Sequence, residues 1–193
     1  MNLEFGYWYF NKVLNKKFCN KIIKHALKKE KKMGYIGDKK EGVVDKNYRN
    51  SDVVWLDDQW IYDEIYPYIY TANRNSGWNF NWNSSEKFQF TIYSKNQHYD
   101  WHRDSFIKPD NEGKIRKLSL TIQLNDNKEF DGGELQFAFD NDKPNQKRKI
   151  TTCKETDLGS IIVFPSHTWH KVTPVTKGVR YSLVMWNRGY PFV

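Results

Sequence analysis

The segment His98–Ser105, with the sequence HYDWHRDS, concentrates side chains that can bind a metal ion. His102 and Asp104 are two residues apart, and in an extended chain residues i and i+2 point to the same face. An imidazole and a carboxylate on one face can share a cation. His98 and Asp100 have the same parity as His102, so the spacing alone leaves other pairings within the segment open.

A second set of candidate ligands lies far downstream, in the segment His167–Trp186 with the sequence HTWHKVTPVTKGVRYSLVMW. On residue type alone, either His167 or His170 could supply a second imidazole. Two imidazoles and one carboxylate leave adjacent coordination positions open on a metal ion, which is the facial triad of non-heme Fe(II) oxygenases. A 2-oxo acid could chelate through two open positions and leave one for dioxygen.

Arg180 follows His170 by ten residues and offers a planar, permanently charged guanidinium. Such a group can pair with the far carboxylate of a dicarboxylic 2-oxo acid. Its segment is rich in apolar residues, among them Val179 and Leu183, and an inward arginine there is costly without a partner. A bound dicarboxylate would supply that partner, and an ordinary structural salt bridge is the simpler alternative.

The order of these motifs resembles a known family. A His-x-Asp pair, DGGEL at Asp131–Leu135 and FPSHTWHKVTPVTKGVRYSLVMW at Phe164–Trp186 are similar to the 2-oxoglutarate- and Fe(II)-dependent dioxygenases. The distal pattern His-x-Val-x-Pro-Val-x-x-Gly-x-Arg-Tyr-Ser resembles the prolyl 4-hydroxylase-like group of bacterial and phage type. The resemblance covers roughly Tyr7 to Gly189, and the combination of motifs is much more specific than His-x-Asp alone.

The resemblance implies a role for each of the principal residues. By their match to the family's motif, His102, Asp104 and His170 bind Fe(II) and Arg180 binds 2-oxoglutarate. This last position is Lys in the animal collagen-type enzymes and Arg in others. The implied reaction uses O2 and converts 2-oxoglutarate to succinate and CO2, with ascorbate as a further cofactor. His167 then becomes a loop residue near the rim of the site.

Three further residues are candidates for contact with 2-oxoglutarate. Tyr93 resembles a tyrosine that hydrogen-bonds the co-substrate in prolyl hydroxylases, although in a chain with 12 tyrosines it could equally pack the core. Thr121 and Gln123 share one face of the following predicted strand and are similar candidates.

Three others are candidates for contact with the substrate. His98 is expected near the entrance, and Arg49 belongs to an Arg-x-Ser segment like that of the prolyl hydroxylases. Trp186 matches an aromatic position close to the iron in the bacterial and phage members. Surface solvation is the simpler account of Arg49, and core packing is the simpler account of Trp186.

The leading hypothesis is hydroxylation of prolyl residues in a peptide or protein, because DGGEL and the distal motif fit the prolyl group. Another amino acid, a small molecule or nucleic acid is an alternative substrate within the superfamily, since substrate choice lies in loops. Residues 34–48 lack periodicity and contain Gly34, Gly37 and Gly42, so we predict a lid that closes over a proline-containing peptide.

The charge distribution motivates two nucleic-acid alternatives. Residues 1–50 carry 13 Lys and Arg against 5 Asp and Glu, whereas residues 51–193 carry 18 of each, so the net charge of +8 lies at the N-terminal end. A basic patch could serve a nucleic-acid demethylase, or a non-enzymatic module that stacks single-stranded nucleic acid. A solvated, Lys-rich helix face is the simpler account.

Length and the lack of a repeated motif indicate one domain over residues 1–193, which the resemblance makes a dioxygenase domain. No segment is long and apolar enough for a transmembrane helix, and the N-terminus lacks a signal-peptide pattern. The only cysteines are Cys19 and Cys153, which favours a reducing compartment. We expect a cytoplasmic enzyme without a membrane partner, acting in the bacterial host cytoplasm if it is phage-encoded. The oligomeric state stays open.

Hydrophobic periodicity predicts helices first and strands later. Amphipathic helices are predicted from about Asn15 to Met33 and from Gln59 to Asn73, the second capped by Asp57 and kinked or broken at Pro67. Strands are predicted at residues 5–10, 49–56, 86–94, 117–124, 135–139, 149–153, 160–164, 171–174 and 179–186. The fold class is therefore mainly β with flanking helices, with helical support at about 15–76 and a β core at about 86–189. The resemblance makes the core a double-stranded β-helix, a cupin-like jelly roll, with the N-terminal helices packed outside.

Overall fold

A computed structural model describes residues 5–34, 44–105, 108–139 and 149–192. The predicted lid at residues 34–48 therefore lies mostly outside the described residues. Among the residues described, no helix combines the length and apolarity needed to cross a bilayer.

The described chain forms two helices, a short 3-10 turn at Asn127–Glu129 and fifteen strands. The helices are α1 (Lys16–Ala26) and α2 (Gln59–Asn75). The strands are β1 (Trp8–Phe10), β2 (Lys32–Met33), β3 (Arg49–Asn50), β4 (Asp52–Leu56), β5 (Ser84–Ser85), β6 (Phe88–Tyr93), β7 (His98–His102), β8 (Ile115–Gln123), β9 (Phe130–Gly132), β10 (Leu135–Ala138), β11 (Thr151–Thr152), β12 (Ile161–Pro165), β13 (Trp169–Val172), β14 (Val175–Gly178) and β15 (Arg180–Gly189).

The strands make two antiparallel sheets. The large sheet has the order β1-β12-β8-β15-β6-β4-β2, with β5 paired to β15, and the small sheet has the order β11-β10-β13-β7-β3. A separate pair joins β14 to β9. The sheets pack together where Phe137 of β10 meets Phe164 of β12 edge-to-face, with ring centroids 5.1 Å apart. This is the predicted mainly β jelly-roll architecture, and its fold class is confirmed.

The helices cover the other face of the large sheet. Ile22 of α1 and Ile61 and Ile65 of α2 are fully buried in one cluster with Phe90 and Leu120 of the sheet. Burial of such side chains stabilises the fold by about 1.5–3 kcal/mol each. The helices therefore hold the large sheet rigid from behind, and its other face is left to carry the site.

Helix α1 starts as predicted but ends earlier. Asn15 is its N-cap, and its Oδ1 accepts a 2.9 Å hydrogen bond from the backbone N–H of Phe18. The helix ends at Ala26 because residues 28–32 contain no apolar side chain to extend the buried stripe. The predicted end near Met33 is therefore wrong, and β2 pairs with β4 there.

Helix α2 also differs from the prediction. Its N-cap is Asp58 rather than Asp57, and the Asp58 carboxylate binds His25 and Lys29 of the preceding segment. The helix continues through Pro67 without a break. Buried apolar residues on both sides of Pro67 pack into one core, which offsets the hydrogen bond that proline removes.

The predicted strand at residues 49–56 is in fact two strands in different sheets. β3 pairs with β7 in the small sheet, whereas β4 pairs with β6 in the large sheet. Ser51 lies buried between them and accepts a 3.2 Å hydrogen bond from Nε of Arg49. The crossing carries Arg49 into the space between the sheets.

Candidate active site

Strands β7 and β13 bring two histidines together. His102 and His170 are register partners on these neighbouring antiparallel strands, and their ring centroids are 4.1 Å apart. Asp104 follows the end of β7, with Oδ1 3.7 Å from Nε2 of His102 and Oδ2 3.5 Å from Nε2 of His170. All three side chains are buried, and their ligand atoms lie within 4.8 Å of one another. The group could hold one metal ion.

Backbone carbonyls fix the orientation of both imidazoles. Nδ1 of His102 is 2.7 Å from the carbonyl oxygen of Asp100, and Nδ1 of His170 is 3.0 Å from that of Thr168. With its proton on Nδ1 donated to the carbonyl, each ring presents the Nε2 lone pair to the shared space. No sequence pattern indicated these acceptors.

Aromatic rings restrain the same imidazoles. The ring of Tyr99 stacks on that of His102 with centroids 3.5 Å apart and an interplanar angle of 12°. Phe164 contacts the ring of His170 edge-on at 4.7 Å. Neither histidine can rotate far, so the site is preorganised.

The protonation states also suit a cation. Burial and the adjacent His170 hold the pKa of His102 well below its usual range, which keeps the imidazole neutral. Burial acts to raise the pKa of Asp104, but the adjacent imidazoles of His170 and His102 lower it. Metal ligands must be deprotonated, and two imidazoles with one carboxylate are the donor set of the Fe(II) facial triad. The residues present therefore fit Fe(II).

Two serines hold Asp104, Ser119 on the large sheet and Ser166 directly after β12. Oγ of Ser119 on β8 donates a 2.7 Å hydrogen bond to Oδ2 of Asp104 and lies 2.9 Å from Oγ of Ser166. The backbone N–H groups of Asp104 and Ser105 donate to the carbonyl oxygen of Ser166, each at 2.9 Å. Sequence reasoning missed both serines. The alternation in β8 could have revealed Ser119, because it shares a face with Thr121 and Gln123.

Arg180 is a buried cation. It begins β15 opposite Tyr93 of β6, and its guanidinium carbon is 5.6 Å from the Tyr93 ring centroid. Its nearest hydrogen-bond partner is Oγ of Ser182 at 3.4 Å, and no carboxylate of the described residues forms an ion pair with it. Burial lowers the pKa of its guanidinium. A buried arginine without an acid beside it is a suitable place for a carboxylate ligand.

A cavity of about 860 Å³ opens above His102 and Asp104. It lies between the sheets and has aromatic and charged walls. Its lining includes Tyr48, Arg49, Trp55, Glu86, Gln89, Tyr99, Arg103, Lys108, Arg116, Trp169, Trp186 and Arg188. Such a volume is in the range of ligand-binding pockets.

Two of the predicted substrate residues line this cavity. Arg49 is buried, and it donates a 3.1 Å hydrogen bond from Nη2 to Oε1 of Gln89, so its expected surface solvation is wrong. Its guanidinium also lies 4.6 Å from the ring centroid of Tyr99. Trp186 is buried and is covered by Arg116 at 3.9 Å.

The other candidates lie apart from the cavity or behind it. His98 contacts the carbonyl oxygen of Asn47 at 3.0 Å, and His167 is exposed, with its ring 6.5 Å from that of Phe80. Gln123 donates to Oδ1 of Asn125 at 3.1 Å. Thr121 is buried on the same strand as Gln123. Tyr93 is also buried; burial raises the pKa of its hydroxyl, and the charges of Arg180 and Asp104 act on the same group.

Arg116 and Glu86 form an ion pair in the cavity wall that the sequence did not reveal. Nε and Nη2 of Arg116 donate to the two carboxylate oxygens of Glu86 at 2.6 and 2.7 Å. The two residues are 30 positions apart, and no local pattern links them. The Arg116 guanidinium in turn covers the ring of Trp186.

Comparisons with known proteins agree with this geometry. Residues 88–188 match the sequence profile of the 2OG-Fe(II) oxygenase superfamily. A PKHD-type hydroxylase of Alteromonas mediterranea is 36% identical over 102 residues, which covers 50% of this chain and 41% of that protein. The PKHD-type hydroxylase YbiX of Escherichia coli is 36% identical over 99 residues, covering 50% and 40%. The chain thus spans about two fifths of the length of these curated relatives.

Solved structures share the fold at low sequence identity. A Pseudomonas putida prolyl-4-hydroxylase superposes with a TM-score of 0.72 at 18% identity, covering 97% of this chain and 95% of that one. The viral collagen prolyl hydroxylase of Paramecium Bursaria Chlorella virus-1, solved with 2OG, gives 0.68 at 20% identity, covering 96% and 97%. A Trichoplax adhaerens prolyl hydroxylase, solved with a peptide fragment of hypoxia inducible factor, gives 0.67 at 18% identity, covering 94% and 83%.

Proposed function

The chain belongs to the 2OG-Fe(II) oxygenase superfamily, and on that premise we propose that it hydroxylates a prolyl residue within a peptide or protein. In this proposal His102, Asp104 and His170 hold Fe(II), and 2-oxoglutarate and O2 are co-substrates. One oxygen atom of O2 enters succinate and the other enters the product, with release of CO2. The chemistry that Fe(II) supplies when bound is activation of dioxygen, coupled to decarboxylation of 2-oxoglutarate.

The observation that carries the proposal is the buried triad beneath an open cavity of about 860 Å³. This volume accommodates a peptide segment, and rings of Tyr99 and Trp186 in its wall can pack against a pyrrolidine. Prolyl hydroxylases are among the solved proteins that share the fold, and one was solved with a peptide. These likenesses support a peptide or protein substrate. That the hydroxylated residue is a proline is the more specific part of the proposal.

The chain's own side chains have distinct tasks in this proposal. Arg180 binds the distal carboxylate of 2-oxoglutarate, and Tyr93 lies beside it as a further contact. Tyr99 keeps the His102 ring in place. Trp186 and Arg49 form cavity walls that exclude water from the reacting C–H bond.

Two broader features of the proposal also have support in the structure. Both sheets contribute to one site, which supports a single dioxygenase domain. Cys19 and Cys153 are buried free thiols, which supports the reducing cytoplasm as the place of action.

The test is incubation of the purified protein with Fe(II), 2-oxoglutarate, ascorbate and a panel of candidate substrates. The panel contains proline peptides, methylated oligonucleotides and free amino acids, and the readouts are succinate and a gain of one oxygen in the substrate. We expect both signals with proline peptides and neither in the His170→Ala variant. Succinate release that only oligonucleotides stimulate would overturn the prolyl assignment.

A further inference from the structure

The mouth of the cavity carries two cations that no carboxylate of the described residues neutralises. Arg103 and Lys108 both line the cavity and are both exposed. Neither belongs to any ion pair in the part of the chain that the structure describes. A pair of unneutralised cations at a cavity mouth attracts anionic ligands.

The other charges around this mouth are compensated. Lys87 pairs with Asp57 at 2.8 Å, and Arg188 pairs with Asp110 at 2.6 Å. Lys114 pairs with Glu112 at 3.0 Å, and Arg116 pairs with Glu86 in the wall. Arg49 also lines the cavity, but it is buried and hydrogen-bonded to Gln89. Among the exposed cations of the lining that the structure describes, Arg103 and Lys108 are the two without a carboxylate partner.

Arg103 is held next to the metal ligands. It stands in the chain between His102 and Asp104, and its guanidinium lies 4.9 Å from the ring centroid of Trp169. Trp169 precedes the third ligand, His170, and also lines the cavity. Cation–π contact restrains a guanidinium while leaving its N–H edge able to bind an acceptor. The ring thus restrains Arg103 at the cavity wall, where it can bind an anion.

We propose that the cavity takes a substrate segment with an Asp or Glu side chain near the hydroxylated residue, and that Arg103 and Lys108 bind this carboxylate. The proposal rests on the proposed function and specifies its substrate class as an acidic peptide. It favours a peptide over nucleic acid because Asp110 and Glu112 line the same cavity. A continuous phosphodiester chain would meet those carboxylates at successive phosphates, whereas a peptide needs to present only one carboxylate to the cations.

The experiment compares three peptides that differ only at one position close to a central proline, where they carry Asp, Asn or Lys. Binding is measured by fluorescence polarisation with the Fe(II)- and 2-oxoglutarate-loaded protein under anaerobic conditions, and hydroxylation by the gain of one oxygen. We expect the Asp peptide to bind about threefold to tenfold more tightly than the Asn peptide at low salt, since each exposed ion pair contributes up to about fivefold. The preference should shrink as ionic strength rises.

Variants assign the preference to the two cations. Arg103→Gln and Lys108→Gln should each lower the Asp-to-Asn ratio about threefold, and Arg103→Glu should turn the preference toward the Lys peptide. Arg74→Gln and Lys128→Gln remove exposed cations away from the cavity and should leave the ratio as in the parent protein. A reversal of the preference in Arg103→Glu would be informative even if one of the Gln variants failed to fold.

The outcomes separate this proposal from the general one. Equal binding of the Asp and Asn peptides, with hydroxylation of both, overturns the acidic-substrate proposal and leaves prolyl hydroxylation standing. Tight binding of the Asp peptide with no hydroxylation of any proline peptide supports the carboxylate site and overturns the prolyl assignment. A single-stranded oligonucleotide that displaces the Asp peptide at lower concentration overturns the proposal in favour of nucleic acid.

Discussion

The hydroxyl of Ser119 donates a 2.7 Å hydrogen bond to Oδ2 of Asp104, across the gap between the two sheets. Ser119 belongs to β8 of the large sheet, and Asp104 follows β7 of the small sheet. Both side chains are buried, so water does not compete for the bond. Hydrogen bonds to charged groups contribute about 1.5–3 kcal/mol. The orientation of the carboxylate ligand is therefore set by a residue of the opposite layer.

We predict that Ser119→Ala weakens metal binding about tenfold to a hundredfold, the usual effect of losing a group that orients a ligand. Calorimetric titration with Fe(II) or Co(II) measures this change, and the absorption bands of bound Co(II) report altered geometry. Ser160→Ala is the matched control. Ser160 is equally buried and bonds to Asn11 at 2.9 Å, but it does not contact the triad. Equal metal affinity in the two variants would show that Ser119 has no role in orienting Asp104.

The choice between two histidines gives the second prediction. Nε2 of His170 lies 3.5 Å from Asp104, whereas His167 is exposed near Phe80. His170→Ala should abolish Co(II) binding and turnover while the β core stays folded, because packing and not metal holds the sheets. His167→Ala should keep both within about threefold, as for an ordinary surface substitution. The reverse pattern would show that His167, and not His170, binds the metal.

The local sequence pattern was sufficient to predict a feature where residues close in sequence are also close in space. The i and i+2 relation of His102 and Asp104 and the cap at Asn15 are of this kind. The pairing of His102 with His170 depends instead on the register of β7 and β13, 68 positions apart. Only the resemblance to a family supplied that link from the sequence.

Other features follow from tertiary context that no local pattern carries. A charged residue such as Arg49 is expected at the surface. Arg49 is nevertheless buried, because the chain passes from the small sheet to the large sheet at Ser51. The short strands β9 and β14 pair around Gly132 and Val175 and have too few residues to show alternation. The ion pair of Arg116 with Glu86 joins β8 to the loop between β5 and β6, so only the tertiary fold brings the two residues together.

The third prediction concerns Arg180 and 2-oxoglutarate. Arg180→Ala should raise the dissociation constant for 2-oxoglutarate more than a hundredfold, because losing one partner of a buried charge pair costs about 3–5 kcal/mol. Anaerobic titration of the metal-loaded protein measures this directly.

The same substitution separates binding from folding. Without 2-oxoglutarate, Arg180 is buried and has no carboxylate partner among the described residues, so its removal should not lower the thermal stability of the protein by much. The rise in melting temperature that 2-oxoglutarate gives the parent protein should disappear in the variant. Arg180→Lys keeps the charge and should retain part of that rise. An unchanged rise in Arg180→Ala would remove this residue from the co-substrate site.

The fourth prediction links the turn of the DGGEL motif to Arg180. Gly133 has φ +64°, and a Cβ built there would lie 2.9 Å from both Cδ of Arg180 and Cγ2 of Val175. Gly133→Ala should therefore have two effects. The left-handed backbone costs about 1–2 kcal/mol in any L-residue with a side chain, and the methyl group also displaces the arginine.

Gly113→Ala is the control that separates these two effects. Gly113 has φ +71°, but a Cβ there meets nothing within 4 Å. Both variants should lose stability to backbone strain, measured as a lower melting temperature of the metal-loaded protein, and Gly133→Ala should lose more because its methyl group also meets buried Val175. Only Gly133→Ala should also weaken 2-oxoglutarate binding, by about tenfold, because the guanidinium is then moved from its position beside Tyr93. If Gly133→Ala binds 2-oxoglutarate as tightly as Gly113→Ala does, the turn sets only the backbone path and does not position Arg180.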